Sequence, residues 1–144
     1  MEYKLKITDW ETDKSALSYI RGLVFIEEQN VPEELEWDEF DEKVTHILVT
    51  YNNIPVACSR IKADGHIGRM AVLNKYRGLG IGTAMLKELL DHAKNNCIQK
   101  VYLHAQTSAV PFYEKLGFNA YSEEFIDANI PHKSMELSLT NYTQ

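Results

Sequence analysis

The chain predicts an α/β fold: a mixed sheet of about seven strands, flanked by helices and organised around a central strand, helix, strand unit. Three observations carry this. Tyr3, Leu5 and Ile7 alternate with polar neighbours, the period of a half-buried strand. Gly78, Gly80 and Gly82 separate the apolar segment Ile67 to Val72 from a strongly periodic helix. A second apolar segment, 101–105, follows that helix, and a strand entered from a helix lies parallel to the strand before it.

Residues near 3 to 8 form the opening strand. Thr12 or Asp13 then caps a helix whose Ala16, Leu17, Ile20, Leu23 and Val24 recur at helical spacing, so it runs to about Glu28. Pro32 and a run of acids interrupt the pattern, leaving residues 30–43 as a loop or short helix that could border a substrate cleft. Segments 46–51 and 56–61 flank Asn52-Asn53-Ile54-Pro55, the signature of an antiparallel hairpin, and Asp64-Gly65 turns the chain into Ile67 to Val72. From Thr83 onwards Met85, Leu86, Leu89, Leu90 and Ala93 make an apolar stripe opposite Lys87, Glu88, Asp91 and Lys94, and the helix stops near Asn95-Asn96. A short helix over 109–116 ends at Gly117, and segments 119–125 and 134–139 supply the last two strands. Residues 3–141 read as one domain, without repeats or a linker.

At 144 residues and 44% hydrophobic, the chain suits a single core. No apolar run approaches the ~20 residues that span a bilayer, and Met1-Glu2-Tyr3-Lys4 opens an alternating pattern instead of a signal peptide. A cytoplasmic chain with no membrane partner is expected. Cys58 and Cys97 lack CxxC spacing and are expected as reduced thiols. The net charge of −6 is local, because residues 27–42 hold nine acids and no Lys or Arg, while the rest balances 15 bases against 12 acids. That segment disfavours nucleic acid and could attract cationic amines, or it could be a solvated face. The five histidines show neither HExxH nor zinc spacing with cysteine, so no metal is expected.

Arg77-Gly78-Leu79-Gly80-Ile81-Gly82-Thr83 is built to hold a phosphate. Glycines let backbone N–H groups turn inward, and the helix start adds unpaired donors and its positive dipole end. A dinucleotide fingerprint would place the third glycine one residue later, and a nucleotide P-loop would place lysine after Gly82. The bland alternative is a flexible turn that permits tight strand-to-helix packing.

The stretch from Val72 to Gly82, Val-Leu-Asn-Lys-Tyr-Arg-Gly-Leu-Gly-Ile-Gly, resembles the acyl-CoA loop of the GNAT N-acetyltransferase superfamily. Ala109-Val110-Pro111-Phe112-Tyr113-Glu114-Lys115-Leu116-Gly117-Phe118 is similar to its late helix and turn. Val24-Phe25-Ile26-Glu27-Glu28-Gln29 and Ile130-Pro131-His132-Lys133-Ser134-Met135 resemble the ElaA-like branch. The resemblance implies a GNAT-like mixed fold whose central unit binds acyl-CoA. It also implies an N-acetyltransferase that uses acetyl-CoA as cosubstrate, an amine of a small molecule or protein attacking directly in a ternary complex.

By the same resemblance, Met70, Ala71 and Val72 offer a strand edge to the pantetheine arm, the backbones of Met70 and Val72 pairing with it where the fourth strand separates from the fifth. The backbone of Arg77, Gly78, Leu79, Gly80, Ile81, Gly82 and Thr83 holds the pyrophosphate, with Arg77 adding charge. Tyr113 protonates the departing thiolate, unless it is only a packing residue beside Phe112 and Phe118. Gln106 stands where many relatives carry asparagine and is assigned to the cofactor; Glu28 and Gln29 are assigned to the substrate. Glu28, Asp38, Asp41, His46, His104 and His132 are all able to accept a proton, and spacing selects none of them. Arg60 and Arg69 could hold an anionic substrate group or pair with the acidic segment. A noncatalytic acyl-CoA sensor is the competing functional class, and an acyl-homoserine-lactone synthase on a related fold is a remoter one. An exposed edge strand or apolar helix face could support a homodimer.

Overall fold

The computed structural model describes residues 2–140 and 142, so the expected domain end at Asn141 lies outside the described residues. β1 (Tyr3–Thr8), β2 (Thr45–Tyr51), β3 (Ile54–Ile61) and β4 (Ile67–Val72) pair antiparallel in that order. Asn52 and Asn53 turn β2 into β3 with φ of 51° and 67°, the left-handed pair that matches strand twist and that asparagine tolerates. The second sheet is built on β8 (Ile130–Ser138), which pairs with β5 (Lys100–Gln106), β6 (Asn119–Ala120) and β7 (Phe125–Asp127).

The ending therefore differs from expectation. The strand expected over 119–125 is two short pieces, and the final strand begins at Ile130, which makes eight strands among the described residues. Between the pieces Ser122 turns its hydroxyl to the N–H of Ser134 at 2.9 Å, a side-chain contact that replaces a ladder bond.

The parallel neighbours expected across the central unit touch only at one bridge, His66 to Tyr102. Beyond it β4 and β5 part. An extra residue in β4, between the pairs Cys58–Ala71 and Arg60–Gly68, places Arg69 at φ 51°, and such a bulge bends its strand. α3 (Ile81–Asn95) bridges the two sheets. Its Ile81, Met85, Leu86, Leu89, Leu90 and Ala93 are buried against Ile47, Val49 and Val56 of the first sheet and Val101, Leu103 and Met135 of the second. Each buried aliphatic side chain contributes roughly 1.5–3 kcal/mol, so α3 holds the halves together around the gap.

α1 (Trp10–Arg21) covers the other face of the first sheet, with Leu17 and Ile20 against Leu48, Cys58 and Ala71. Its cap is Asp9, whose carboxylate accepts from Thr12 N at 2.8 Å, and not Thr12 or Asp13. Asp13 instead leaves helical geometry to meet the Thr8 hydroxyl at 2.6 Å and Lys6 at 2.9 Å. After Arg21 the helix widens into a π turn, Gly22–Glu28. α2 (Glu33–Glu36) and a tight turn, Glu39–Glu42, occupy the acidic segment. α4 (Val110–Lys115) follows β5.

Three acids of the run, Glu36, Asp38 and Asp41, fold onto three arginines. Arg21, 1% exposed, meets Glu36 and Asp41 at 2.7 Å and lies between the rings of Trp10 and Trp37. Arg60 meets Asp38 at 2.7 Å and Asp41 at 2.8 Å, and Arg69 meets Glu36 and Asp38 at 3.3 Å. Glu36, Asp38 and Asp41 are thus neutralised and Arg60 and Arg69 pair with the segment, while Glu27, Glu33, Glu34, Glu39 and Glu42 stay exposed as a solvated acidic face.

Candidate active site

The parting of β4 and β5 opens a cleft of about 850 Å³. Its β4 wall is an unpaired strand edge. Leu73 N donates to Val56 O at 2.9 Å, so by alternation Ala71 faces β3 while Met70 and Val72 turn their backbone groups into the cleft. The Val72 carbonyl accepts from Arg77 Nε at 2.9 Å. A peptide-like ligand can pair with such an edge.

The glycine loop forms the mouth. Gly78 and Gly80 hold φ of 78° and 82°, and a Cβ at either position would stand in open space. Glycine there serves the left-handed backbone and leaves the hollow of the loop bare. Gly80 caps α3 without a side chain, and the first helical bond runs from Ala84 N to Gly80 O at 3.0 Å. The N–H groups of Ile81, Gly82 and Thr83 therefore have no helical partners, and with the helix dipole they fit an anionic group. Leu79 is exposed and its side chain stays outside the cleft.

Four of the sequence-assigned residues meet as pairs. Arg77 forms a bidentate pair with Glu28 at 2.6 and 2.7 Å. This hydrogen-bonded contact lowers the Glu28 carboxyl and raises the Arg77 guanidinium relative to their ordinary values. Gln106 Nε2 donates to Gln29 Oε1 at 2.8 Å. The end of the π turn is thereby tied to the glycine loop on one side and to β5 on the other, an arrangement no local pattern in the sequence reveals. Glu28 itself does not line the cleft.

Tyr113, half-buried on α4, brings its hydroxyl to 3.5 Å from Met70 Sδ and packs against Phe112 and Phe118. Burial pushes the phenol up to about 12, so it keeps its proton at neutral pH. It can donate that proton to a departing group.

His66, His104, Asp127 and His132 line the far part of the cleft. Burial, then the His104 and Lys62 charges, hold His66 down at about 4, and the ring is neutral at physiological pH. Burial is also the largest influence on His104, lowering it, and its Nδ1 lies 3.0 Å from Ser134 Oγ. His132 Nδ1 donates to Ile130 O at 2.7 Å. Sequence reasoning passed over His66 and Asp127; the only signal for His66 is its place one residue after the Asp64-Gly65 turn. Asp38, Asp41 and His46 lie outside the cleft. Among the described residues no group of three His, Cys, Asp or Glu side chains could hold a metal ion, and no helix is long and apolar enough to cross a membrane.

A sheet parted between two strands, an uncapped helix start at the mouth of the gap and a protonated phenol inside it define the acyltransferase class of α/β fold. Residues 13–139 match the acetyltransferase (GNAT) domain family, and the chain belongs to that family. It is 41% identical over 121 residues to the uncharacterized N-acetyltransferase YjcF of Bacillus subtilis, covering 81% of this chain and 86% of that protein. Protein ElaA of Escherichia coli is 34% identical over 128 residues, covering 83% and 84%. The crystal structure of Escherichia coli ElaA superposes with a TM-score of 0.84 at 27% identity, over 94% of this chain and 99% of that one. An acyl-CoA N-acyltransferase from Pseudomonas aeruginosa superposes with a TM-score of 0.82 at 27% identity, over 94% and 97%. The ElaA-like resemblance of the sequence and the GNAT-like fold both hold.

Proposed function

We propose that residues 3–141 form an acetyl-CoA-dependent N-acetyltransferase that delivers the acetyl group to an amine of a small molecule or protein by direct attack in a ternary complex. The observation that carries this reading is the cleft itself. An open strand edge, a bare loop with unpaired N–H groups at a helix start and a protonated phenol lie along one passage.

In this reading Met70 and Val72 pair with the pantetheine amides, with Ala71 between them. Residues 77–83 hold the pyrophosphate on backbone donors, which act in a partly dry site and need no side-chain reorganisation. Arg77 is shared between Glu28 and that anion. Gln106 contacts the cofactor, Gln29 borders the acceptor, and Glu28, outside the cleft, acts on it through Arg77. Tyr113 gives its proton to the sulfur as the amine displaces it, which removes the cost of expelling a thiolate. The unpaired thiols Cys58 and Cys97 support a reducing, cytoplasmic setting.

Calorimetric titration with acetyl-CoA, with NAD and ATP in parallel, tests the cofactor class, and free-thiol release across a panel of primary amines tests transfer. Selective acetyl-CoA binding with amine-dependent thiol release is expected. Binding without transfer would turn the reading to a sensor, and absence of binding by folded protein would overturn it.

A further inference from the structure

We infer that His132, through Nε2, is the base that takes a proton from the acceptor amine, working from the face of the sheet opposite Tyr113. The inference rests on the acetyltransferase reading. An amine with a lysine-like pKa near ~10.4 is almost wholly protonated at neutral pH, so a transferase for such amines needs a proton acceptor beside the thioester.

The other candidates are engaged or misplaced. Both Glu28 oxygens are taken by Arg77. Asp38 and Asp41 are held by Arg60, Arg21 and Arg69. His46 is 1% exposed and spends Nε2 on the Asp41 carbonyl at 2.8 Å. His66 sits at the closed end, where β4 and β5 still touch. His104 faces the Ser134 hydroxyl, which can donate or accept and so fixes no lone pair.

His132 differs because its tautomer is determined. A carbonyl only accepts, so the proton of the neutral ring lies on Nδ1, toward Ile130, and the lone pair lies on Nε2. No buried side-chain nitrogen or oxygen among the described residues lacks a partner, and Nε2 has none there, so Nε2 is open to the cleft that the ring lines. Phe125 stacks on the ring at 5.8 Å and 22° and fixes its plane.

Topology puts His132 on the parted side of the sheet. Met70 and Gln106 both lie beyond the bridge between His66 and Tyr102, on strands that separate there as the bulge at Arg69 bends β4. Met70 receives the Tyr113 hydroxyl, and Gln106 is paired with His132 across β5 and β8. The faces are also opposite. Leu103, Ala105 and Met135 point into the core against which Tyr113 packs, and alternation turns His104, Gln106, His132 and Ser134 the other way. Acid and base thus meet the cleft from its two sides. His104 of β5, Asp127 of β7 and His66 share this part of the cleft with His132, and Glu36, Arg69, Tyr76, Arg77 and Tyr113 line the rest of it.

The proton count closes. In passing from ammonium to amide, nitrogen gains the bond to the acetyl carbon, the carbon–sulfur bond breaks and nitrogen loses two protons. His132 takes one to solvent, and the other replaces the proton that Tyr113 gives to sulfur.

The test compares wild type, His132→Asn and His132→Ala with acetyl-CoA and the best primary amine of the panel. Asparagine retains an amide N–H for Ile130 O but lacks the basic nitrogen. Both variants should bind acetyl-CoA as wild type does and lose roughly 100-fold or more in kcat/KM for the amine. Added imidazole should restore transfer to His132→Ala, an effect that a packing role would not produce. Transfer at the wild-type rate in the asparagine variant overturns the inference, as does a loss in folded His132→Ala that imidazole leaves untouched; should the alanine variant not fold, the asparagine variant decides. If wild type acetylates no amine, the acetyltransferase reading fails and the base with it, whereas transfer by wild type and variants alike removes only His132.

Discussion

At Gly80 the backbone stands at φ 82° with open space where a Cβ would go. Valine there costs roughly 1–2 kcal/mol in left-handed strain and projects a branched side chain into the hollow that faces the helix start. Gly80→Val should therefore melt several degrees lower yet fold, and should weaken acetyl-CoA binding by more than ~10-fold. Unchanged affinity by calorimetry would refute the pyrophosphate assignment. Tyr113 gives the complementary case, because in the proposed reaction its proton goes to the leaving sulfur, while its ring packs against Phe112 and Phe118. Tyr113→Phe preserves the ring, so acetyl-CoA affinity should hold while turnover falls roughly 100-fold; equal turnover would leave Tyr113 as a packing residue.

Among the elements, the acidic segment depends most on its partners. Burial is the largest influence on Glu36 and raises its carboxyl despite the opposing charge of Arg21. Arg21→Met would leave buried Glu36 with Arg69 at 3.3 Å and buried Asp41 with Arg60 at 2.8 Å as their remaining partners, and breaking one side of a buried ion pair costs about 3–5 kcal/mol. Urea unfolding should show that loss, and a change below ~1 kcal/mol would mean that the acids escape to solvent. The same acids explain what could be read in advance. The hairpin over Asn52-Asn53 and the stripe of α3 were legible because each rests on residues a few positions apart. The π turn, the bulge at Arg69 and the cap at Asp9 were not, because each is selected by contacts with another element. Arg60 and Asp38 lie 22 positions apart, and no local pattern distinguishes that pair from an anion-binding arginine.

For the whole molecule, charge sets a stability window with two different edges. Burial alone would raise the Asp38 carboxyl, but the Arg60 hydrogen bonds and the charges of Arg60 and Arg69 outweigh it and bring it to about 2. A lowered folded-state value contributes stability that is complete above the ordinary carboxylate range and is lost as pH falls through about 2. Tyr113 and Tyr142, both raised chiefly by burial, stand at about 12 from an ordinary 10. Their contribution is complete below pH 10 and is lost as pH rises through about 12. Urea midpoints should fall on both sides, beginning on the acid side as pH drops from the ordinary imidazole range through about 4, where half-buried His66 must take a proton, and Asp38→Asn should shrink only the part of that edge near 2. Acetyl-CoA at 100 times its Kd should add about 2.7 kcal/mol through linkage, and a melting temperature indifferent to it would count against native-state binding.

The sequence by itself determined the fold class, the order of the main elements and the glycine loop at the start of α3, since strand alternation, helical stripes and left-handed glycines are written in neighbouring residues. Only the tertiary structure decided where β4 and β5 part, that Glu36, Asp38 and Asp41 close on Arg21, Arg60 and Arg69, and that His132 and Tyr113 line one cleft. These depend on which strand edges are left unpaired and which distant side chains share a buried volume, and such properties arise from packing the whole chain at once.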